Sequence, residues 1–381
     1  MRHPFGVSQP SVSMLSKTLS AKKSCLLPER VLNLKIMIKF ESDYLEGCHP
    51  RILERLMKTN LEQTPGYGED EICAGARETV RKACGALNAD VHFLVGGTQT
   101  NATVISSILK PYQGVLCAQS GHINVHETGA IEHSAHKVLP LPSTDGKISA
   151  EQVESAIEEH YSDPSAEHTV QPGMVYISFP TELGTIYSKS ELEALSGTCR
   201  KYGIPLFIDG ARLGYGLASS ACDLELKDIA ALPDIFYIGG TKQGALFGEA
   251  VVICNDSLKK DFRYNIKQNG GMLAKGRLLG IQFDELLKDS LYLDLSRKAD
   301  LQAERLKAAF REKGYKFLID SPTNQIFPIL PFEVQKILSK DFGFEQWEKI
   351  DANSSAVRFC TSWATPDSSI DALIEALKDI N

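Results

Sequence analysis

At 381 residues, the chain is long enough for one large and one smaller domain, and a hydrophobic content of 43% can fill a sizeable core. A net charge of −7 argues against a general affinity for nucleic acid or acidic membranes, and no apolar run reaches the length that crosses a bilayer. Nine scattered cysteines with no CxxC pair read as reduced thiols in a reducing compartment, not as a disulfide framework.

The first 36 residues contain Lys and Arg but one acid, Glu29, and show no sustained periodicity. They read as a disordered or mis-called extension, with the protein proper opening at Met37; a transit peptide is the alternative. A helix is expected around 49–60, within a segment 37–60 that packs with the smaller domain. From 61 to 256 short apolar runs alternate with helical patterns. Strands are expected at 91–95, 115–119, 136–141, 174–179, 205–209, 234–240 and 250–254, several of them apolar almost throughout, as in strands covered on both faces. Between them, 102–109, 149–160 and 188–202 have helical spacing, with Ser149 and Ser188 as caps ahead of the last two. This alternation predicts an α/β domain with a mostly parallel sheet flanked by helices. After residue 257 the pattern changes to long charged helices, chiefly 272–312, then two weaker strands near 325–330 and 356–360, and a last helix over 367–379. That predicts a smaller C-terminal α+β domain over 257–381.

Ligands of parallel α/β sheets bind beyond the carboxyl ends of the strands, so polar residues just after apolar runs come first. "VGGTQTN" (95–101) turns from strand to helix through two glycines, and Gly97, Thr98 and Gln99 can grip a phosphate at the helix N-terminus. The same turn can equally serve topology alone. In "PLFIDGARLG", Asp209 follows an apolar strand, and a shielded acid there needs a cation or strong donor such as a pyridinium N–H. Arg212 can hold a carboxylate by paired hydrogen bonds; a structural Asp209–Arg212 surface pair is the alternative. In "DIFYIGGTKQGALFGEAVV", Lys242 lies between two apolar strands, where burial lowers the amine pKa as a lysine nucleophile requires. A plain loop lysine is the rival. Phosphate cup, strand-end acid and lysine after the next strand together form a pyridoxal phosphate set.

With these pieces the chain resembles the aldolase and β-eliminating lyase branch of the fold-type I pyridoxal phosphate enzymes, nearest to the L-threonine aldolase family. The matching segments are "FESDY" (40–44), "PGYGEDE" (65–71), "GGTQTN" (96–101), "SGHINVHETGA" (120–130), "PTELGTIYS" (180–188), "DGARLG" (209–214), "GGTKQGALFGEA" (239–250), "GGMLAKGR" (270–277) and "VRFCTSW" (357–363). The resemblance implies a fold-type I transferase-like architecture with pyridoxal 5'-phosphate joined to Lys242. It implies that Asp209 pairs with the pyridine nitrogen, His122 stacks on the ring, and Gly97, Thr98 and Thr241 lie near the cofactor. Ser42, Arg212 and Arg358 would bind the carboxylate of a small amino-acid substrate. Tyr67 would line the site, from a neighbouring subunit of a homodimer or homotetramer with interfacial sites, in the cytoplasm. Members break the Cα–Cβ bond of β-hydroxy amino acids to give glycine and an aldehyde. Where some of them carry a histidine, this chain has Glu182, a candidate base for the hydroxyl proton.

Other readings stand beside this one. The same sheet-edge residues serve β-elimination and amino-group transfer. His122, His126, His133 and His136 with Glu127 and Glu132 can in principle hold a metal, although no metalloprotease signature accompanies them. A catalytically silent relative is a third class.

Overall fold

In the computed structural model the described residues are 37–380; the expectation for residues 1–36 lies outside them. Seven strands form the central sheet: β1 (Asp90–Leu94), β2 (Gln113–Ala118), β3 (Lys137–Leu141), β4 (Gln171–Ser178), β5 (Leu206–Asp209), β6 (Ile235–Gly239) and β7 (Glu249–Ile253). Their order is β1-β7-β6-β5-β4-β2-β3; β7 runs antiparallel to both neighbours and the remaining pairs are parallel. Alternate side chains enter separate cores. Val175, Ile177, Leu206, Ile208, Phe236 and Ile238 pack on one face, while Met174, Tyr176, Phe207, Ile235 and Tyr237 pack on the other. This is why these strands read as nearly continuous apolar runs.

Two connecting helices begin as the sequence predicts. Ser149 and Ser188 each close a capping box, with Gln152 and Glu191 respectively, at the starts of Ala150–Ser162 and Lys189–Tyr202. Each such cap contributes about 1 kcal/mol.

Beyond the sheet, helices from both ends of the chain pack on it. The long helices expected over 272–312 are Arg277–Leu286 and Leu291–Glu312. Asp289 and Ser290 between them take left-handed φ values of 51° and 63°, which a continuous helix cannot contain. Helix Pro50–Thr59 sends Ile52 into the core of the central sheet and pairs Arg51 with Glu285, and Arg55 with Asp284 and Glu285, on helix Arg277–Leu286. Phe262 and Ile266, and then Phe283, Leu286 and Tyr292, also pack on the central sheet, so the chain leaves that sheet later than residue 257.

The smaller unit is built on strand Ser354–Cys360, antiparallel to Ile329–Pro331, Glu345–Lys349 and Gln325–Ile326. Strand Glu345–Lys349 was not anticipated: its "EQWEK" is an exposed, polar edge without an apolar signature. Ile38–Lys39 pairs parallel with Phe342–Gly343, and Phe40 joins the core of this unit. That lays residues 41–44 along the boundary with the central sheet, because the Phe40 carbonyl accepts from Cys360 N–H at 2.7 Å.

Candidate active site

The carboxyl ends of β4, β5 and β6 and the start of the antiparallel β7 share one edge of the sheet. Ser178 lies opposite Asp209, and Glu249 lies opposite both Leu94 and Gly239. Two glycines allow the tight packing this needs. A Cβ on Gly210 would sit 1.9 Å from the Tyr237 carbonyl oxygen, and one on Gly239 would sit 2.5 Å from that of Ala211. The turns bearing Asp209 and Lys242 are therefore pressed together. A cavity of about 310 Å³ opens over this edge, lined by Gly97, Thr98, His122, Glu182, Asp209, Arg212, Thr241, Lys242 and Glu249 among others. A second hollow of about 260 Å³ continues from it past Tyr44, His126, Glu345, Trp347 and Arg358.

Asp209 forms the floor. Its Oδ2 accepts from Tyr176 Oη at 2.6 Å and Asn101 Nδ2 at 3.0 Å, and its Oδ1 from Ala211 N–H at 2.9 Å. Burial alone would push this carboxyl up; the nearby His122 and the donors of Tyr176, Tyr237 and Ala211 outweigh it and hold it below the ordinary value. Asp209 is thus a buried anion, 4% exposed, with no ion pair to a described Lys, Arg or His. The alternative of a surface pair with Arg212 does not hold. Arg212 instead presents its fork to Asp43, with Nε–Oδ2 at 2.7 Å and Nη2–Oδ1 at 2.9 Å. Asp43 is fully buried; burial raises its carboxyl, but the charges of Arg212 and Lys242 bring it down to about 2.

Lys242 has its carbonyl pinned by Tyr215 Oη at 2.6 Å, and the backbone folds back so that Gly240 N–H meets the Gly248 carbonyl at 2.9 Å. Burial, and then repulsion from Arg212, push its ammonium pKa down, against the pull of Asp43, Asp209 and Glu249. A lysine with a lowered pKa in a cavity is a nucleophile in waiting.

Above the floor, His122 Nδ1 meets Glu127 Oε1 at 2.9 Å, which orients the ring and leaves Nε2 for the cavity. Asn101 Nδ2 also donates to Glu127 Oε1, at 2.8 Å, and so ties the histidine support to the Asp209 floor. Glu182 accepts from Ser178 Oγ at 2.6 Å and from His122 N–H at 2.9 Å. Burial raises its pKa, against the Ser178 hydrogen bond, its own backbone N–H and the charge of His122.

The other expected residues divide. Gly97 and Thr98 open helix Gly97–Ile108 and line the cavity. Gln99 does not: its amide accepts from Val95 N–H at 3.2 Å and donates to the Asn269 carbonyl at 3.0 Å, holding the turn instead. Ser42 is buried beside Asp43 and lines neither hollow. Arg358 is held by Glu345, by Gln325 Oε1 at 3.2 Å and by the Glu41 carbonyl at 3.1 Å, with its guanidinium 5.1 Å from the Trp347 ring. Tyr67 is half exposed with φ of 61° and lies in a different hollow, near His92 and Arg263. Among the described residues no three His, Cys, Asp or Glu side chains form a metal-holding group. Of the residues that histidine reading named, His136 Nδ1 faces the Gln113 carbonyl at 3.3 Å and Glu132 Oε1 accepts from Val138 N–H at 3.4 Å. Asp43, Asn101, Tyr176 and Glu249 were not anticipated, and Glu127 only as a possible metal ligand; among the first four only Glu249, directly before an apolar strand, carried a sequence signal.

The model of one family, beta-eliminating lyase, matches residues 39–327. The chain belongs to that family. It is 45% identical to a threonine aldolase from Leishmania major of solved structure, with a TM-score of 0.87 over 90% of this chain and 98% of the other. It is 29% identical to a low specificity L-threonine aldolase of Pseudomonas sp. (strain NCIMB 10558), covering 90% of this chain and 97% of the relative. Aspartate aminotransferase of Thermus thermophilus, at 13% identity and a TM-score of 0.66 over 89% of this chain and 90% of that one, shares the fold. The chain is therefore an α/β enzyme of the fold-type I class, whose cofactor is pyridoxal phosphate. Its residues fit that group: an amine with a lowered pKa, an anionic floor with no ion pair among the described residues, and a helix N-terminus free of side-chain caps at the far end.

Proposed function

We propose that this chain is a pyridoxal phosphate-dependent aldehyde-lyase that splits the Cα–Cβ bond of L-threonine-like or L-allo-threonine-like β-hydroxy amino acids into glycine and an aldehyde. The observation that carries the reading is the meeting of Lys242, Asp209 and Glu182 in one cavity of a chain this similar to threonine aldolases. When bound, the cofactor supplies an electron sink for the pair released from the broken bond. Lys242 is the amine that holds it covalently. Asp209 keeps a negative charge against the ring nitrogen, and Tyr176 and Asn101 keep Asp209 ionised and fixed. His122, fixed by Glu127, covers the ring. Gly97, Thr98 and Thr241 serve the phosphate end.

Glu182 takes the β-hydroxyl proton: a buried carboxylate with a raised pKa is a stronger base than an exposed one. Arg358, and the Nη1 that Asp43 leaves unused on Arg212, receive the substrate carboxylate. Tyr67, exposed and away from its own chain's cavity, supports a homo-oligomer in which it reaches a neighbour's site. A cytoplasmic setting is supported by the free state of the eight described cysteines. No helix among the described residues is long and apolar enough to cross a membrane.

The test is to incubate purified protein and pyridoxal phosphate with L-threonine, L-allo-threonine and phenylserine, and to quantify glycine and aldehyde. Equimolar glycine and aldehyde are expected. Release of a keto acid and ammonia without glycine would overturn the reading in favour of elimination.

A further inference from the structure

Glu249 takes no part in the chemistry above, yet it lines the same cavity and is only 3% exposed. It opens β7 opposite Leu94, and Leu94 leads directly into the turn Val95-Gly96-Gly97-Thr98 at the start of the helix. It therefore stands beside the end of the cavity where backbone N–H groups suit a phosphate. Gly248 N–H donates to Thr241 Oγ1 at 3.0 Å, and Thr241 Oγ1 donates to Glu249 Oε1 at 3.1 Å. Oε1 is thus occupied as an acceptor. Oε2 is buried without a hydrogen-bond partner.

A carboxylate in this position would face a phosphate ester that carries between one and two negative charges near neutrality. Like charges in a dry cavity are costly, and no described Lys, Arg or His forms an ion pair with Glu249. The conflict disappears if the carboxyl keeps its proton, and the proton then belongs on Oε2, because Oε1 already accepts. The charged and titratable groups that face Glu249 are Lys242, Asp209, Tyr237 and Tyr292. Burial is the main influence on Glu249 and Asp209 adds to it, against Lys242, Thr241 and the Gly240 N–H; the carboxyl is pushed up to about 8.

We propose that Glu249 binds the cofactor as a neutral acid, donating a hydrogen bond from Oε2 to the phosphate group at the glycine-turn end of the cavity. The inference rests on the cofactor reading above and adds a consequence to it. The grip on phosphate weakens as pH rises and Glu249 loses its proton.

The probe is pyridoxamine 5'-phosphate, which has no aldehyde and cannot join Lys242, titrated into the full chain freed of cofactor. Wild type and Glu249→Gln are compared between about pH 7 and pH 9.5, above the second phosphate ionisation. Lys242 titrates in both proteins, so the ratio of the two Kd values is the readout. The ratio is expected to be near one at neutral pH, because Gln also donates, and to favour Gln by about tenfold or more at the alkaline end, as for loss of a hydrogen bond to a charged group. Pyridoxamine without phosphate should show no such divergence.

A ratio that stays constant with pH overturns the proposal. So does a tenfold advantage for Gln already at neutral pH, which would mean a charged, repelling carboxylate. If Glu249→Gln does not fold, the phosphorus resonance of wild-type holoenzyme decides: it should shift over the same range, and an invariant resonance overturns the proposal. Failure of wild type to bind the probe at all would instead strike the cofactor reading and this inference together.

Discussion

On one side of the cavity the titratable groups stand at the ends of strands covered on both faces; on the other they stand on a small antiparallel sheet with a wet edge. Asp209, Lys242 and Glu249 belong to the first side, and burial is the largest influence on the ionisation of each. Arg358 belongs to the second, and the partner it meets there, Glu345, has a side chain 46% exposed on an edge strand. A buried acid or amine surrounded by fixed donors keeps one protonation state and one position, as bond-breaking requires. The Arg358–Glu345 pair is buried on the arginine side and open to water on the glutamate side, so solvent screens only one of its two charges. Under the proposed function the two sides would have different tasks: the central sheet would hold the chemistry, and Arg358 on the small sheet would hold the substrate carboxylate.

Substitutions can break or sharpen that contrast. The largest effect is expected from Lys242→Ala, which should lower glycine release from L-threonine by about 10⁴-fold or more and remove the visible absorbance of bound cofactor. Activity near wild type would end the proposed chemistry.

Glu182→Gln should lower kcat by about 10²-fold with a smaller change in KM. Its pH profile is diagnostic. Glu182 must be ionised to accept a proton, and its pKa is raised, so the wild-type rate should fall as pH drops through that raised value. The Gln variant should lose this acid limb; a profile identical to wild type would assign the hydroxyl proton to another group.

The smallest effect belongs to the wet side. Arg358→Lys keeps the charge but loses the planar fork, so KM should rise by about tenfold while kcat stays close to wild type. A fall in kcat as large as that of Glu182→Gln would erase the distinction between the two sides.

Read as sequence alone, the chain disclosed the elements whose causes are local. The inner strands were visible because both faces are apolar, and Ser149 and Ser188 were visible as caps because a capping box spans only four residues. Asp209, Lys242, Gly97 and Thr98 were legible because each follows an apolar run in a chain whose parallel sheet sends such residues to one edge. The polar edge strand Glu345–Lys349 and the break at Asp289–Ser290 were not, since neither carries an apolar period.

What only the tertiary structure decided is which polar groups meet. Arg212 finds Asp43 across 169 residues, Asn101 finds Asp209 across 108, and Tyr176 reaches Asp209 from the neighbouring strand. Those pairings set the charge of the floor and the direction of the forks. No local pattern encodes them, because a buried polar group is satisfied by whichever partner the packed sheet brings within hydrogen-bond distance.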